Sequence, residues 1–123
     1  MKFTPEVYTD KVTESKAFYC NYLGFRVKKE LEGFVVLQHA VDTAYEIMFC
    51  VPNLPFVNEI FRPAYSGQGL IFQIEVNDVD AVYEKLQHEG VAIALPLIEE
   101  PVNGHHFTII DPNGILIDIV QFT

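Results

Sequence analysis

One structural plan is written twice in this chain. Asp10 and Asp78, 68 residues apart, each close a short β-prone stretch and each stand where a helix-patterned segment begins, so both are expected to cap a helix N-terminus. After Asp10, the run KVTESKAFYCNYLGF sets Phe18 with Tyr22, and Tyr19 with Leu23, four residues apart, and Gly24 suits the left-handed position just past a helix end. After Asp78, Val79, Val82, Tyr83 and Leu86 follow the i, i+3, i+4, i+7 pattern of an apolar helix face, with Gly90 as the stop.

Each predicted helix is followed by three β-rich runs. In the first half these are Phe25 to Glu30, Phe34 to His39 and Ala44 to Val51, separated by turns at Glu32-Gly33 and Asp42-Thr43. In the second half they are Val91 to Ala94, His105 to Ile110 and Ile115 to Phe122, with Asp111-Pro112-Asn113-Gly114 as a clear hairpin turn. Both halves therefore read strand, helix, three strands, an α+β chain of two βαβββ modules over about 1–52 and 70–123. The segment 53–69 between them is a linker with prolines, glycines and the aromatics Phe56, Phe61 and Tyr65. A connection of that length serves as a lid or subunit contact, or else packs its aromatics back on a sheet.

At 123 residues and 50% apolar content the chain fills one domain core. Its apolar runs are too short to span a bilayer, and its start lacks the apolar core of a secretory signal, so a cytoplasmic protein is expected. The net charge of −9, with no basic cluster beyond Arg26, Lys28 and Lys29, repels phosphate backbones and anionic lipid. Neither nucleic acid nor membrane is an expected partner, which leaves a small molecule or another protein. Cys20 and Cys50 are either a disulfide or, as cytoplasmic chemistry favours, buried reduced thiols.

The string Asp10-x4-Ser15-x2-Phe18-Tyr19-x3-Leu23-Gly24-Phe25, the helix start Asn77-Asp78-Val79-Asp80-Ala81 and the tail Asp111-Pro112-x-Gly114-x3-Asp118 together resemble the glyoxalase, bleomycin-resistance and extradiol-dioxygenase (vicinal oxygen chelate) superfamily. The resemblance runs over nearly the whole chain. It implies two modules whose strands curl into a half-open mixed sheet with a ligand cavity on the concave face, and it implies a homodimer. It leaves function open, because lyases, dioxygenases and drug-sequestering proteins share the fold.

Metal-dependent members hold a divalent ion with one His, Gln or Glu from the first and last strand of each module. Carried onto this chain, those positions fall at Phe3, Glu46, Ile71 and Asp118, and only two of the four side chains can coordinate. The first position is open: a bulge at Pro5 would bring Pro5 there, and a one-residue shift would bring Glu6, giving a Glu6, Glu46, Asp118 set suited to magnesium or manganese. No cofactor is therefore expected, with one divalent metal as the alternative.

Strand alternation adds Met48, Gln73, His106 and Leu116 to Phe3, Glu46, Ile71 and Asp118 as residues of the concave parity, the expected ligand-binding set. His105 and His106 point to opposite faces, so at most one enters a cavity, as a cross-strand hydrogen-bonding group or as a ligand contact. Relatives carry a stretch similar to G-x-R-x-F where this chain has Asn103-Gly104-His105-His106-Phe107, without the arginine. Glu46 and Asp118, matched between the halves, are either hydrogen-bonded or water-facing carboxylates or, as the resemblance implies, a pair facing one cavity, in which case desolvation or mutual repulsion raises the pKa of one of them. No phosphate-binding glycine loop, nucleophile elbow or motif-supported cysteine is present. The expected function is metal-independent binding or sequestration of a small organic ligand, the alternative a metal-dependent lyase or dioxygenase of the same superfamily.

Overall fold

Eight strands and two long helices realise the repeated plan in the computed structural model, which describes residues 1–101 and 104–122. They fall into two compact units, Met1–Ser66 and Gly67–Thr123, each a four-stranded mixed sheet with one helix.

In the first unit the order along the sheet is β1 (Glu6–Tyr8), β4 (Glu46–Cys50), β3 (Phe34–His39) and β2 (Phe25–Leu31), with β1 parallel to β4. Helix α1 (Val12–Tyr22) lies on one face, where Tyr19 is buried with its ring 5.1 Å from Phe49 and 5.9 Å from Phe25. Val7, Val35, Leu37, Ile47 and Phe49 are the buried strand residues of that parity. Asp10 is not the helix cap, because the helix starts one residue later than expected. Lys11 holds the cap position without a side-chain capping bond to the helix, Thr9 Oγ1 accepts from the Lys11 amide, and the Ser15 hydroxyl donates to the Lys11 carbonyl. Gly24, at φ 78°, ends the helix as its sequence suggests.

Pro5 introduces no bulge in β1. Its carbonyl accepts from the Met48 amide, and the ladder then continues through Glu6↔Met48 to Tyr8↔Cys50. A bulge does occur in β2, where Lys28 is the extra residue between the Val27↔Leu37 and Lys29↔Val36 pairs. The connecting segment packs back on this unit: Phe61, in a short 3-10 helix (Glu59–Phe61), stacks on Tyr8 at 5.5 Å, and the Tyr65 amide donates to the Tyr8 carbonyl. Arg62 ties the segment together through the carbonyls of Pro52, Leu54 and Val57, while Phe56 stays 74% exposed.

The second unit repeats the arrangement as β5 (Ile71–Glu75), β8 (Leu116–Gln121), β7 (Gly104–Ile110) and β6 (Ile93–Glu100), with β5 parallel to β8. Helix α2 (Val79–His88) is capped by Asp78, whose carboxylate accepts from the Ala81 amide. It buries Val79 and Leu86 and sets the Tyr83 ring 4.8 Å from Phe107. Strand β6 begins later and runs further than the predicted Val91 to Ala94, because it is an edge strand and tolerates Pro96, around which the register shifts between Leu95 and Ile98. Asp111 builds the hairpin turn by accepting from the Asn113 and Ile115 amides. Asn103, part of the histidine motif, lies outside the described residues. No helix among the described residues is long and apolar enough to cross a membrane.

Candidate functional site

The β3–β4 ladder places Gln38 opposite Glu46, on the sheet face turned away from α1. Glu46 is buried, yet three donors converge on its Oε2: Lys2 Nζ at 2.5 Å, Lys28 Nζ at 2.7 Å and Gln38 Nε2 at 3.0 Å. The β2 bulge accompanies this aim of Lys28, and Lys2 arrives from the segment ahead of β1. The Lys2 and Lys28 hydrogen bonds outweigh the carboxyl's burial and hold its pKa down to about 2. An elevated pKa, expected for one of two facing carboxylates, therefore does not fall on Glu46, because the protein neutralises it from within its own unit. Met48 lies two residues on along the same face, half-buried and paired with Glu6, and the Tyr8 hydroxyl donates to Glu6 Oε1 at 3.2 Å. Phe3 belongs to no strand and is 85% exposed, so strand parity does not govern it.

In the second unit the hairpin register sets Thr108 opposite Asp118 and His106 opposite Val120, all on the face turned away from α2. The buried His106 ring has Nδ1 2.6 Å from Asp118 Oδ1, and the Thr108 hydroxyl donates to the same oxygen at 3.3 Å. On its other side Nε2 lies 3.3 Å from Glu100 Oε1, close enough for an ion pair but without hydrogen-bond alignment. Burial opposes charging of the ring, but the Asp118 hydrogen bond and charge, joined by Glu100, prevail and raise its pKa above the ordinary imidazole value. His105 points the opposite way, its Nδ1 3.9 Å from Asp80 of α2. Gln73, Ile71 and Leu116 share the His106 face and are exposed, Gln73 beside Asp118 and Ile71 beside Leu116.

Strand parity thus brings His106, Asp118, Gln73, Leu116 and Ile71 to one face of the second unit, and Glu46 with Met48 to one face of the first. Sequence reasoning missed Lys2, Lys28 and Gln38 around Glu46, and Thr108 and Glu100 around His106. A signal existed for Thr108, since the Asp111–Gly114 turn fixes the register that sets it against Asp118. Lys2 had none, because a residue outside any strand has no register.

Among the described residues, no group of three or more His, Cys, Asp or Glu is gathered to hold a metal ion. Cys20 and Cys50 are free, and burial pushes both thiols up, which disfavours the nucleophilic thiolate. An open cleft of about 510 Å³ lies elsewhere in the first unit, between the start of α1 and the β2–β3 hairpin, with Asp10, Glu30 and Glu32 in its walls. It contains none of the predicted site residues.

A sequence model described as the Glyoxalase/Bleomycin resistance protein/Dioxygenase superfamily matches residues 4–119. The chain belongs to that superfamily. Among solved structures, this superfamily member is similar to TnmS3, an antibiotic binding protein from Streptomyces, at 22% identity over 100% of this chain and 96% of that one, with a TM-score of 0.73. It is also similar to a lactoylglutathione lyase from Agrobacterium tumefaciens, at 20% identity, 98% and 92% coverage and a TM-score of 0.74. A superfamily member from Sphaerobacter thermophilus shares 19% identity over 99% and 97% of the two chains, with a TM-score of 0.75. Likeness at these identities shows the fold. Among curated proteins none matches the chain in sequence.

Proposed function

We propose that this superfamily member binds a small organic molecule without a metal. The observation that carries the reading is that both carboxylates at the family's metal positions are engaged by the protein's own cations, Glu46 by Lys2 and Lys28, Asp118 by His106. The other two positions, Phe3 and Ile71, offer no lone pair. A divalent ion at these positions would have to displace ammonium groups from Glu46 and the imidazole from Asp118, and this donor set does not fit it. The polar side chains instead stand beside exposed apolar ones, a combination that suits an organic ligand, and one similar structure is described as antibiotic binding.

Elemental analysis of protein purified without chelator tests the metal clause. The expected result is less than one-tenth equivalent of any transition metal and a melting temperature unchanged by EDTA. Stoichiometric Mn, Fe, Ni or Zn that is lost in both Glu46→Ala and Asp118→Ala would overturn it. Screening a small-molecule library by melting temperature and native mass spectrometry tests the binding clause, with retained, saturable ligands expected.

The same reading includes a homodimer. Each sheet ends in edge strands, β1 and β2 in one unit and β5 and β6 in the other, and pairing between copies covers such edges. Sedimentation at micromolar concentration should give twice the 14.0 kDa chain mass, and a monomer would refute the assembly.

A further inference from the structure

Charge is divided unevenly along the chain. Residues 1–66 carry eight carboxylates against seven Lys and Arg, whereas residues 67–123 carry nine carboxylates against Lys85 alone, so the net charge of −9 belongs almost wholly to the second unit. The first unit then sorts its own charges by face. Strict alternation from Arg26 would send Lys28 and Glu30 to the same side of the sheet as Arg26, and Lys29 and Leu31 to the other. The extra residue at Lys28 inverts that order, because a one-residue slip turns every later side chain over. Lys29, opposite Val36, and Leu31, opposite Phe34, thereby join Arg26, opposite Gln38, on the face turned away from α1. Glu30 goes to the helix face, where its carboxylate pairs with Lys16 of α1 at 2.7 Å. Lys28 stays on the side of Arg26, since its Nζ reaches Glu46. The bulge gathers three cations of β2 on one face and removes the carboxylate that would have offset one of them.

Two carboxylates remain on this face. Glu46 holds the ammonium groups of both Lys2 and Lys28 on one oxygen, so it is more than neutralised. Glu6 lies on β1, at the opposite edge of the sheet from β2. At about 4.8 Å per strand that is roughly 14 Å, beyond the ~8 Å over which exposed charges act at physiological salt. The side chains of Arg26 and Lys29 form no ion pair or hydrogen bond among the described residues.

We propose that this face of the first unit holds the head group of a small organic oxyanion, a carboxylate or a phosphate, between the side chains of Arg26 and Lys29. The proposal rests on the small-molecule reading and gives the ligand its chemical class. Arg26 offers a planar fork that bonds two oxygens at once, and Lys29 adds a compact charge beside it. A ligand ammonium in the same place would meet Lys2, Arg26, Lys28 and Lys29, of which Glu46 offsets only one. The apolar body of the ligand has a place as well. Leu31 is 56% exposed two residues beyond Lys29, about 7 Å along the strand, and Phe34 and Met48 are half-buried on the same face.

Matched probes test the class: 5-phenylpentanoate, 4-phenylbutyl phosphate, 4-phenylbutylamine and 4-phenylbutan-1-ol, titrated into the full protein at neutral pH while the backbone amides of β2 are followed by NMR. At least one oxyanion is expected to bind tenfold or more tightly than the amine and the alcohol and to move the amides of Arg26 to Leu31, the tighter of the two identifying the head group. Its affinity should fall at least fivefold in Arg26→Gln and in Lys29→Gln, both at exposed positions outside the core. Lys85→Gln, in the second unit, should leave the affinity unchanged. Tighter binding of the amine or the alcohol would overturn the oxyanion class while leaving the small-molecule reading intact. Oxyanion binding that ignores both Arg26→Gln and Lys29→Gln, or that falls equally in Lys85→Gln, would overturn the site. Failure of all four probes would overturn the proposal, whereas the broader reading fails only if the library screen yields no ligand.

Discussion

Asp118→Ala is expected to lower the stability of the protein by about 3 kcal/mol at pH 6, a fall of roughly 10 °C in melting temperature. The residue carries the inner half of a buried ion pair, with Nδ1 of His106 2.6 Å from its Oδ1 and the Thr108 hydroxyl on the same oxygen. Removing it leaves an imidazole in the sheet with a donor that water does not reach. Asp118→Asn keeps the shape but loses the charge, and should cost about 2 kcal/mol. That is the reverse of what relief of repulsion between two facing carboxylates would produce. The pH dependence supplies a second readout. Because the folded protein raises the pKa of His106, its stabilising contribution is fully present below the ordinary imidazole value and fades as pH rises through the raised one. The gap between wild type and Asp118→Asn in urea should therefore narrow from pH 6 to pH 9. A gap that stays constant, or a variant as stable as wild type, would show that the pair contributes nothing.

In the first unit, replacing Lys2 and Lys28 together by Met should return the Glu46 carboxyl from about 2 to the ordinary range near 4.5, a change readable by NMR titration of its side-chain carboxyl carbon. Each single variant should fall between, since both ammonium groups reach the same oxygen. The sign for stability is opposite to that of His106. A depressed carboxyl pKa contributes stability above the ordinary value, and that contribution disappears as pH falls through about 2. Acid unfolding of the double variant should accordingly begin at higher pH than that of wild type. An unchanged Glu46 titration would mean that the lysines lie in solvent and that the carboxylate is free for another partner, a metal included.

Much of the fold was legible because it rests on local signals. The helix periods after Asp10 and Asp78, the glycines at 24 and 90, and the Asp111–Gly114 turn each act within a few residues of sequence. Where the reading erred, a neighbouring side chain or the place of a strand in its sheet intervened. Asp10 lost the cap position to Lys11, and β6 ran past Pro96 because it lies at a sheet edge.

The site divided along the same line. Alternation alone placed Glu46 and Met48 on one face and His106, Asp118, Gln73, Leu116 and Ile71 on another, since the period of a strand is independent of its partners. The neighbours of the charged groups could not be obtained in that way. Lys2 meets Glu46 across 44 positions, Lys28 reaches it from a bulge, and Glu100 meets His106 after a register shift in an edge strand. A carboxylate's charge state depends on what lies within a few ångströms of it, and tertiary packing alone decides which distant side chains those are.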